Sequence, residues 1–415
     1  MKRFFDKAAA VCIAAAVALG CGSCSFKEVT YNESTAEISF SWWGGDERNE
    51  RTLEGLSKFQ EQTGIMVDAE YSEFTGFKAR MDSQFYSETQ ADVMQLNYDW
   101  LYQYSPEGDD FYDLGELTEY IDLGTYTEES LECGTINGKL NAVPYSMNVL
   151  SFVYNKKLYD SYGLPLPKTW EDLFEAAKVM SKDGVYPLCF SSKHLWMSCC
   201  VYLEQTTGKK AFYDDEPAMS AEDLEIMLEF GSRLLGEKVT CLGSDFDRSD
   251  FVTGSMAGVV TWISDLGYYA DADNNGAVVP TLGDYVTAEN SVAFGWEMKP
   301  TGLYAIKKTA KDPEAAAKLM DYLINSADMA ALLELTKGVP ISTSAVEALE
   351  ARDLLDGMEY DATCKMNGTK GFGTMSYRLE AQTYIDIFTQ ALESIYYGKA
   401  DVQTAAQTAY SEIHG

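Results

Sequence analysis

Along the first third of the chain, the spacing of apolar residues alternates between two periods. Ile38, Phe40 and Trp42 alternate with Ser39 and Ser41, as in a strand with one buried face. Leu53, Leu56 and Phe59 then mark one face of a helix over Glu50 to Thr63, and Gly64 is a natural terminator. Strand character returns over Ile65 to Tyr71. Phe77, Met81 and Phe85 recur every fourth residue and predict a second helix, and Asp92 to Leu96 is a short apolar strand. The order β-α-β-α-β implies a parallel sheet with helices on its faces, hence the α/β class. A second unit follows. Leu150 to Tyr154, Tyr186 to Phe190, Ala257 to Ile263 and Leu303 to Ile306 read as strands. Thr169-Trp170-Glu171-Asp172 caps a helix through Met180, and Ser220 caps another to about Gly236. Asp312-Pro313 opens a helix with proline in its first turn, and Glu380 to Tyr397 reads as a closing helix.

In open α/β sheets, ligands bind beyond the carboxyl ends of the strands. Here those ends carry Trp43-Gly44-Gly45-Asp46, Ser72-Glu73-Phe74 and Asn97-Tyr98-Asp99-Trp100. Each pairs an aromatic ring with an acid. Rings stack on the C–H face of a pyranose, removing roughly 100 Å² of apolar surface, about 2.5 kcal/mol. Carboxylates accept hydrogen bonds from the hydroxyls and fix orientation. Trp42, in register with Ile38 and Phe40, is expected in the core. Trp43, Asp46, Glu73, Asp99 and Trp100 are expected to line a site for a neutral or weakly charged sugar.

The amino terminus changes the expected compartment. Lys2, Arg3 and Lys7 precede an apolar run from Ala8 to Gly20, too short to span a bilayer but suited to a signal peptide. Val17-Ala18-Leu19-Gly20-Cys21 resembles a bacterial lipobox, with Ala18 where leucine is more usual. Residues 1–20 are therefore expected to be removed and Cys21 lipidated, with 21–36 as a tether and the protein on the outer face of the cell membrane. The formal net charge of −33 disfavours nucleic acid and anionic headgroups. The cysteines show no disulfide-scaffold spacing and are expected as buried free thiols. The two histidines, His194 and His414, form no zinc pattern with them. No cofactor or metal is expected.

Several runs resemble the family 1 extracellular solute-binding proteins of carbohydrate ABC importers. They are Phe40 to Arg48, Asp92 to Gln95, Asn137 to Pro144, Tyr162 to Pro165, Lys168 to Leu173, Lys311 to Ala316 and Gly338 to Pro340. The resemblance implies a two-lobe periplasmic-binding-protein-like fold with a hinge and an interlobe ligand cleft. The first lobe would be 37–147 plus about 300–340, and the second 148–299 plus about 341–415, with crossings near Asn148, Lys299-Pro300 and Gly338 to Pro340. It also implies a carbohydrate ligand, importer permease subunits as partners and no catalysis. Trp262 stands where the family often has a stacking ring; Trp296 would line the cleft or wedge the hinge, and Phe372 would touch ligand or pack. Trp42 to Arg48, Asn97 to Leu101 and Phe111 to Leu114 look closest to the oligogalacturonide-binding branch. A uronic acid would need cations, for which Arg48, Lys299 and Arg378 are candidates unless they form surface ion pairs.

The main rivals are a secreted glycoside hydrolase and a binder of some other solute. Hydrolysis needs two carboxyl groups at a set separation, and among 65 acids no pair stands out. Asp271 to Gly276 matches the first half of a calcium loop, but Leu282 occupies the position of the bidentate glutamate, so a polar turn is expected.

Overall fold

The computed structural model describes residues 38–213, 215–271, 278–281, 295–368 and 371–415. The leader, the lipobox cysteine Cys21 and most of the calcium-like loop lie outside them. The leading units are β1 (Ile38–Trp43), α1 (Asp46–Thr63), β2 (Val67–Ser72), α2 (Phe74–Ser87), β3 (Val93–Leu96) and α3 (Tyr98–Tyr104). β1 pairs in parallel with both β2 and β3. α1 starts about one turn before its apolar stripe, because Asp46 and Glu47 suit the positive end of a helix. It ends where expected: Gly64 takes a left-handed φ of 75° and its N–H closes on the carbonyl of Gln60.

The rest of the framework comprises β4 (Ala142–Asn155), β5 (Gly258–Trp262), β6 (Val278–Thr281), β7 (Glu297–Ile306) and the two-residue β8 (Gly373–Thr374). The principal helices around these are α4 (Trp170–Met180), α5 (Ser192–Thr207), α6 (Ala221–Gly236), α7 (Pro313–Asn325), α8 (Ala327–Leu333), α9 (Thr343–Glu350), α10 (Gly357–Gly368), α11 (Gln382–Tyr396) and α12 (Val402–His414). The strands run β6-β4-β7-β3-β1-β2, with β5 also on β4 and β8 on β7. β7 is antiparallel to both β3 and β4, so the sheet is mixed rather than wholly parallel.

Two long strands change partners along their length. β4 pairs with β7 from Ala142 to Val149, then exchanges that partner for β5 from Leu150 to Tyr154. Both strands are longer than the sequence pattern foretells. Pro144 and Asn148 in one, and Pro300 and Gly302 in the other, read as breakers. Register shifts at Pro300 and Gly302 absorb them, and Gly302 is needed there because a Cβ would lie 2.4 Å from the Tyr145 hydroxyl oxygen. Tyr186 to Phe190 is not a strand: it makes single parallel bridges at Tyr186 and Cys189, with Pro187 lacking an N–H between them.

One core lies under α1 and α7, where Trp42 stacks between Phe40 and Tyr71 at 4.8 and 5.0 Å. A larger one joins α4, α5, α6, α11 and α12 and continues to Trp43, Phe77 and Trp100 in the first lobe. Trp170 and Trp196 are packing residues in it. Among the described cysteines, Cys133, Cys189, Cys199 and Cys200 are buried free thiols, while Cys241 is half-buried and Cys364 exposed.

α4 and α6 both begin with complete capping boxes, Thr169 with Asp172 and Ser220 with Asp223. Thr169→Ala leaves the Asp172 N–H without its side-chain acceptor. It is expected to lower unfolding free energy by about 1 kcal/mol, measurable by urea titration.

Candidate functional site

The lobes meet around the carboxylate of Glu380, whose side chain is 1% exposed. Lys193, in the first turn of α5, donates to one oxygen at 2.7 Å. Lys299, on β7 and itself 4% exposed, donates to the other at 2.6 Å. Asn97, just before α3, reaches that second oxygen at 3.4 Å and donates to Asp99 at 2.6 Å. Burial alone would push Glu380 up, but Lys193 and Lys299 outweigh it and bring its pKa to about 2. Asp99 goes the other way: burial, and then the charge of Glu380, raise it to about 6.

Trp262, the last residue of β5, lies under these cations. The ammonium of Lys299 is 4.7 Å and that of Lys193 5.6 Å from its ring centroid. His194 meets the same indole edge-on at 5.7 Å. Burial, then the charge of Lys193, lower its pKa to about 3, so the ring is neutral and its Nδ1–H donates to the Val260 carbonyl at 2.8 Å.

Beside this cluster is a cavity of about 400 Å³. Trp262, Trp296, Phe212 and Tyr213 supply second-lobe rings, and Tyr98 enters from the first lobe. Nearby, Tyr102 of α3 stacks on Tyr377 with centroids 3.9 Å apart, a second contact between lobes. The charged lining is Glu204, Lys210, Asp215 and Glu297. Lys210 donates to Glu297 at 2.6 Å, and Asp215 accepts from Ser376 at 2.7 Å. Burial pushes both Glu204 and Glu297 upward.

The residues expected from sequence divide into groups. Trp262 and Trp296 line the cavity, at 8% and 2% exposure. Asp99 and Lys299 belong to the charged cluster beside it. Trp43 and Trp100, expected at the rim, do not line the cavity; they pack edge-to-face at 5.3 Å, 9% and 4% exposed. The register that turns Trp43 away from Trp42 carries it into a second core, under α2. Phe74, 48% exposed, stacks on Trp100 at 5.5 Å and is the ring this cluster presents to solvent. Asp46 and Glu73 are exposed at the ends of β1 and β2.

Arg48 donates to the Thr336 carbonyl, away from the cavity. Arg378 lies against Tyr377 and Tyr384, 3.7 Å from Glu216. Phe372 packs between two cores and does not line the cavity. Sequence reasoning missed Lys193, Glu204, Asp215, Glu297 and Glu380. Glu380 was read as the first residue of a helix, and nothing local distinguishes the others from solvated acids and lysines. For Lys193, Glu380 and Glu297 the signal is pairing between distant segments, 187, 81 and 87 residues apart.

A family model described as bacterial extracellular solute-binding protein matches residues 56–354. A periplasmic solute-binding protein of Pectobacterium atrosepticum has the same fold at TM-score 0.85 and 27% identity, over 91% of this chain and 98% of its own. A periplasmic oligogalacturonide-binding protein of Yersinia enterocolitica, solved with saturated digalacturonic acid, matches at TM-score 0.83 and 27% identity, over 90% and 97%. An ABC substrate-binding protein of Listeria monocytogenes, solved with cycloalternan, shares the fold at TM-score 0.73 and 18% identity, over 92% and 98%.

Two outcomes follow from the charged cluster. Glu380 has a depressed pKa, so its stabilising share is complete above about 4.5, the ordinary glutamate value, and is lost as pH falls toward about 2. Glu380→Gln leaves Lys299 buried without a carboxylate and is expected to cost about 3–5 kcal/mol, with a flatter acid limb in denaturation between pH 5 and 2. Asp99 has a raised pKa, so its ionisation opposes folding as pH rises from about 3.8 through about 6. Asp99→Asn should therefore raise Tm more at pH 7.5 than at pH 4, and an equal change at both would refute this account.

Proposed function

This chain belongs to the bacterial extracellular solute-binding proteins, and we propose that it captures a saccharide between its lobes and delivers it to an ABC importer. The observation that carries this reading is the cavity at the lobe junction. It has indoles at Trp262 and Trp296, a first-lobe phenol at Tyr98 and carboxylates at Glu204, Asp215 and Glu297. Once the lobes part, rings that can cover the C–H face of a sugar would stand beside acceptors for its hydroxyls, a combination suited to an amphipathic, hydrogen-bond-rich ligand. The binding of digalacturonic acid by the Yersinia relative supports the same class of solute.

Closure would work through the strands that join the lobes. β4 and β7 cross once each, and the third crossing follows residue 350; the segment Gly338 to Pro340, where Ser146 bridges Pro340 and donates to the Lys337 carbonyl at 2.6 Å, ties the first lobe to β4. On this reading the first lobe is 38–148 plus 300–350, and the second is 149–299 plus the remainder. The boundary after 350, rather than at about 341, is supported by Ala345, Ala348 and Leu349 of α9 packing with Ala330 of α8. Ligand would bridge Tyr98 to Trp262 and favour the closed form, whose surface the importer's permease subunits would read.

Attachment to the outer face of the membrane is part of the proposal and rests on the sequence around Cys21. Among the described residues no helix is long and apolar enough to cross a bilayer. One acyl chain contributes ~0.8 kcal/mol per buried methylene, and two chains would hold the protein stably. The proposed role is non-catalytic.

A thermal-shift screen over mono- and oligosaccharides, followed by calorimetry, tests the reading, because a ligand of the native state raises Tm. At least one saccharide should bind and be recovered uncleaved. Trp262→Ala should weaken that saccharide by roughly 30-fold, the loss of about 2 kcal/mol of stacking. Binding of no saccharide, or release of hydrolysis products, would sink the proposal.

A further inference from the structure

The charge on the cavity wall narrows the ligand class. Its charged lining, among the described residues, is Glu204, Lys210, Asp215 and Glu297. Lys210, the one cation in that set, is already held by Glu297 at 2.6 Å. Glu204 and Glu297 are partly stripped of water, since burial raises both. A ligand carboxylate brought here would meet like charge in a partly desolvated space, where repulsion is least screened.

The cations that could offset it are committed elsewhere. Lys193 and Lys299 share Glu380, with Asp99 alongside as a further acid. Arg48 is turned to the Thr336 carbonyl, and Arg378 lies against Tyr377 and Tyr384 outside the lining. Planar guanidinium groups are the usual partners of a sugar acid. None lines this cavity among the described residues.

We infer that the saccharide this cavity takes carries no carboxylate: it is a neutral or ammonium-bearing sugar, and Glu204, Asp215 and Glu297 select against uronides. The inference rests on the saccharide-binding reading above. It separates this chain from its Yersinia relative, whose ligand is digalacturonic acid. Ring hydroxyls or an amino-sugar ammonium would donate to these carboxylates, whereas a uronate could only oppose them. Specificity of this kind comes from repulsion of the wrong ligand as much as attraction of the right one.

Calorimetry at pH 7.5 and low salt tests it on the purified protein with three probe sets. These are neutral di- and trisaccharides, glucosamine and galactosamine disaccharides, and digalacturonate. A neutral or amino sugar should bind, with digalacturonate at least ~100-fold weaker. The paired substitution Glu204→Gln and Asp215→Asn should narrow that gap at least ~10-fold, chiefly by improving digalacturonate. Digalacturonate binding as tightly as any neutral probe overturns the inference and leaves the saccharide reading standing. A gap unchanged in the paired variant overturns the role of these carboxylates. If no probe from any set binds, both readings fall together.

Discussion

The junction of the lobes depends on a carboxylate that has almost no contact with water. An ionised group buried like Glu380 is affordable only if its oxygens are fully bonded and its charge is opposed. Lys193 and Lys299 meet both conditions, from a helix amino terminus and from a crossing strand. Their own positions are constrained in turn. Lys299 is as buried as its partner and lies over Trp262, so the indole is held by the same charges that hold the carboxylate. Asn97 brings the first lobe into this arrangement through a neutral amide rather than another charge. That choice matters, since Asp99 beside it already feels Glu380 as a like charge.

A second constraint acts where the chain crosses between lobes. β4 and β7 must remain one ladder while serving two sheets that face different surroundings. The register shifts at Pro300 and Gly302 accommodate this, and Tyr145 fills the space that a side chain at 302 would need. Behind it, Lys337 is buried beside Tyr145 and Tyr304 and donates to the Tyr304 hydroxyl at 2.5 Å. Burial drives its pKa well below the usual lysine value, and Arg48 adds to the effect. The segment from Lys337 to Pro340 is thus attached to the same strands by backbone and tyrosine contacts, with no carboxylate among the described residues bonded to the Lys337 ammonium.

Much of the architecture was legible without coordinates because it is local. The period of Ile38, Phe40 and Trp42, the stripe of Leu53, Leu56 and Phe59, and the caps at Thr169 and Ser220 each depend on neighbours within a few residues. The crossings were less legible. Pro144, Asn148, Pro300 and Gly302 weaken a strand considered alone, and only pairing between β4 and β7 makes extended structure the better state there. Tyr186 to Phe190 failed in the opposite sense: its apolar run promised a strand, but Pro187 limits it to isolated bridges. The ring cluster of Trp43 and Trp100 lies off the cavity for a third reason. Position at a strand end indicates closeness to a cleft, not which side of the sheet the ring faces.

By itself, the sequence determined the α/β class, the family and the presence of aromatic residues near the strand ends, since periodicity, caps and ordered motifs are carried by contiguous residues. The tertiary structure decided which charges face one another. Glu380 is 187 residues from Lys193 and 81 from Lys299, and no local pattern marks them as partners. Around the cavity, Glu297 is likewise 87 residues from its partner Lys210. In an acidic chain any carboxylate looks like surface solvation until folding takes its water away. What a carboxylate does then depends on whether a cation is folded beside it, and that is a property of three-dimensional proximity alone.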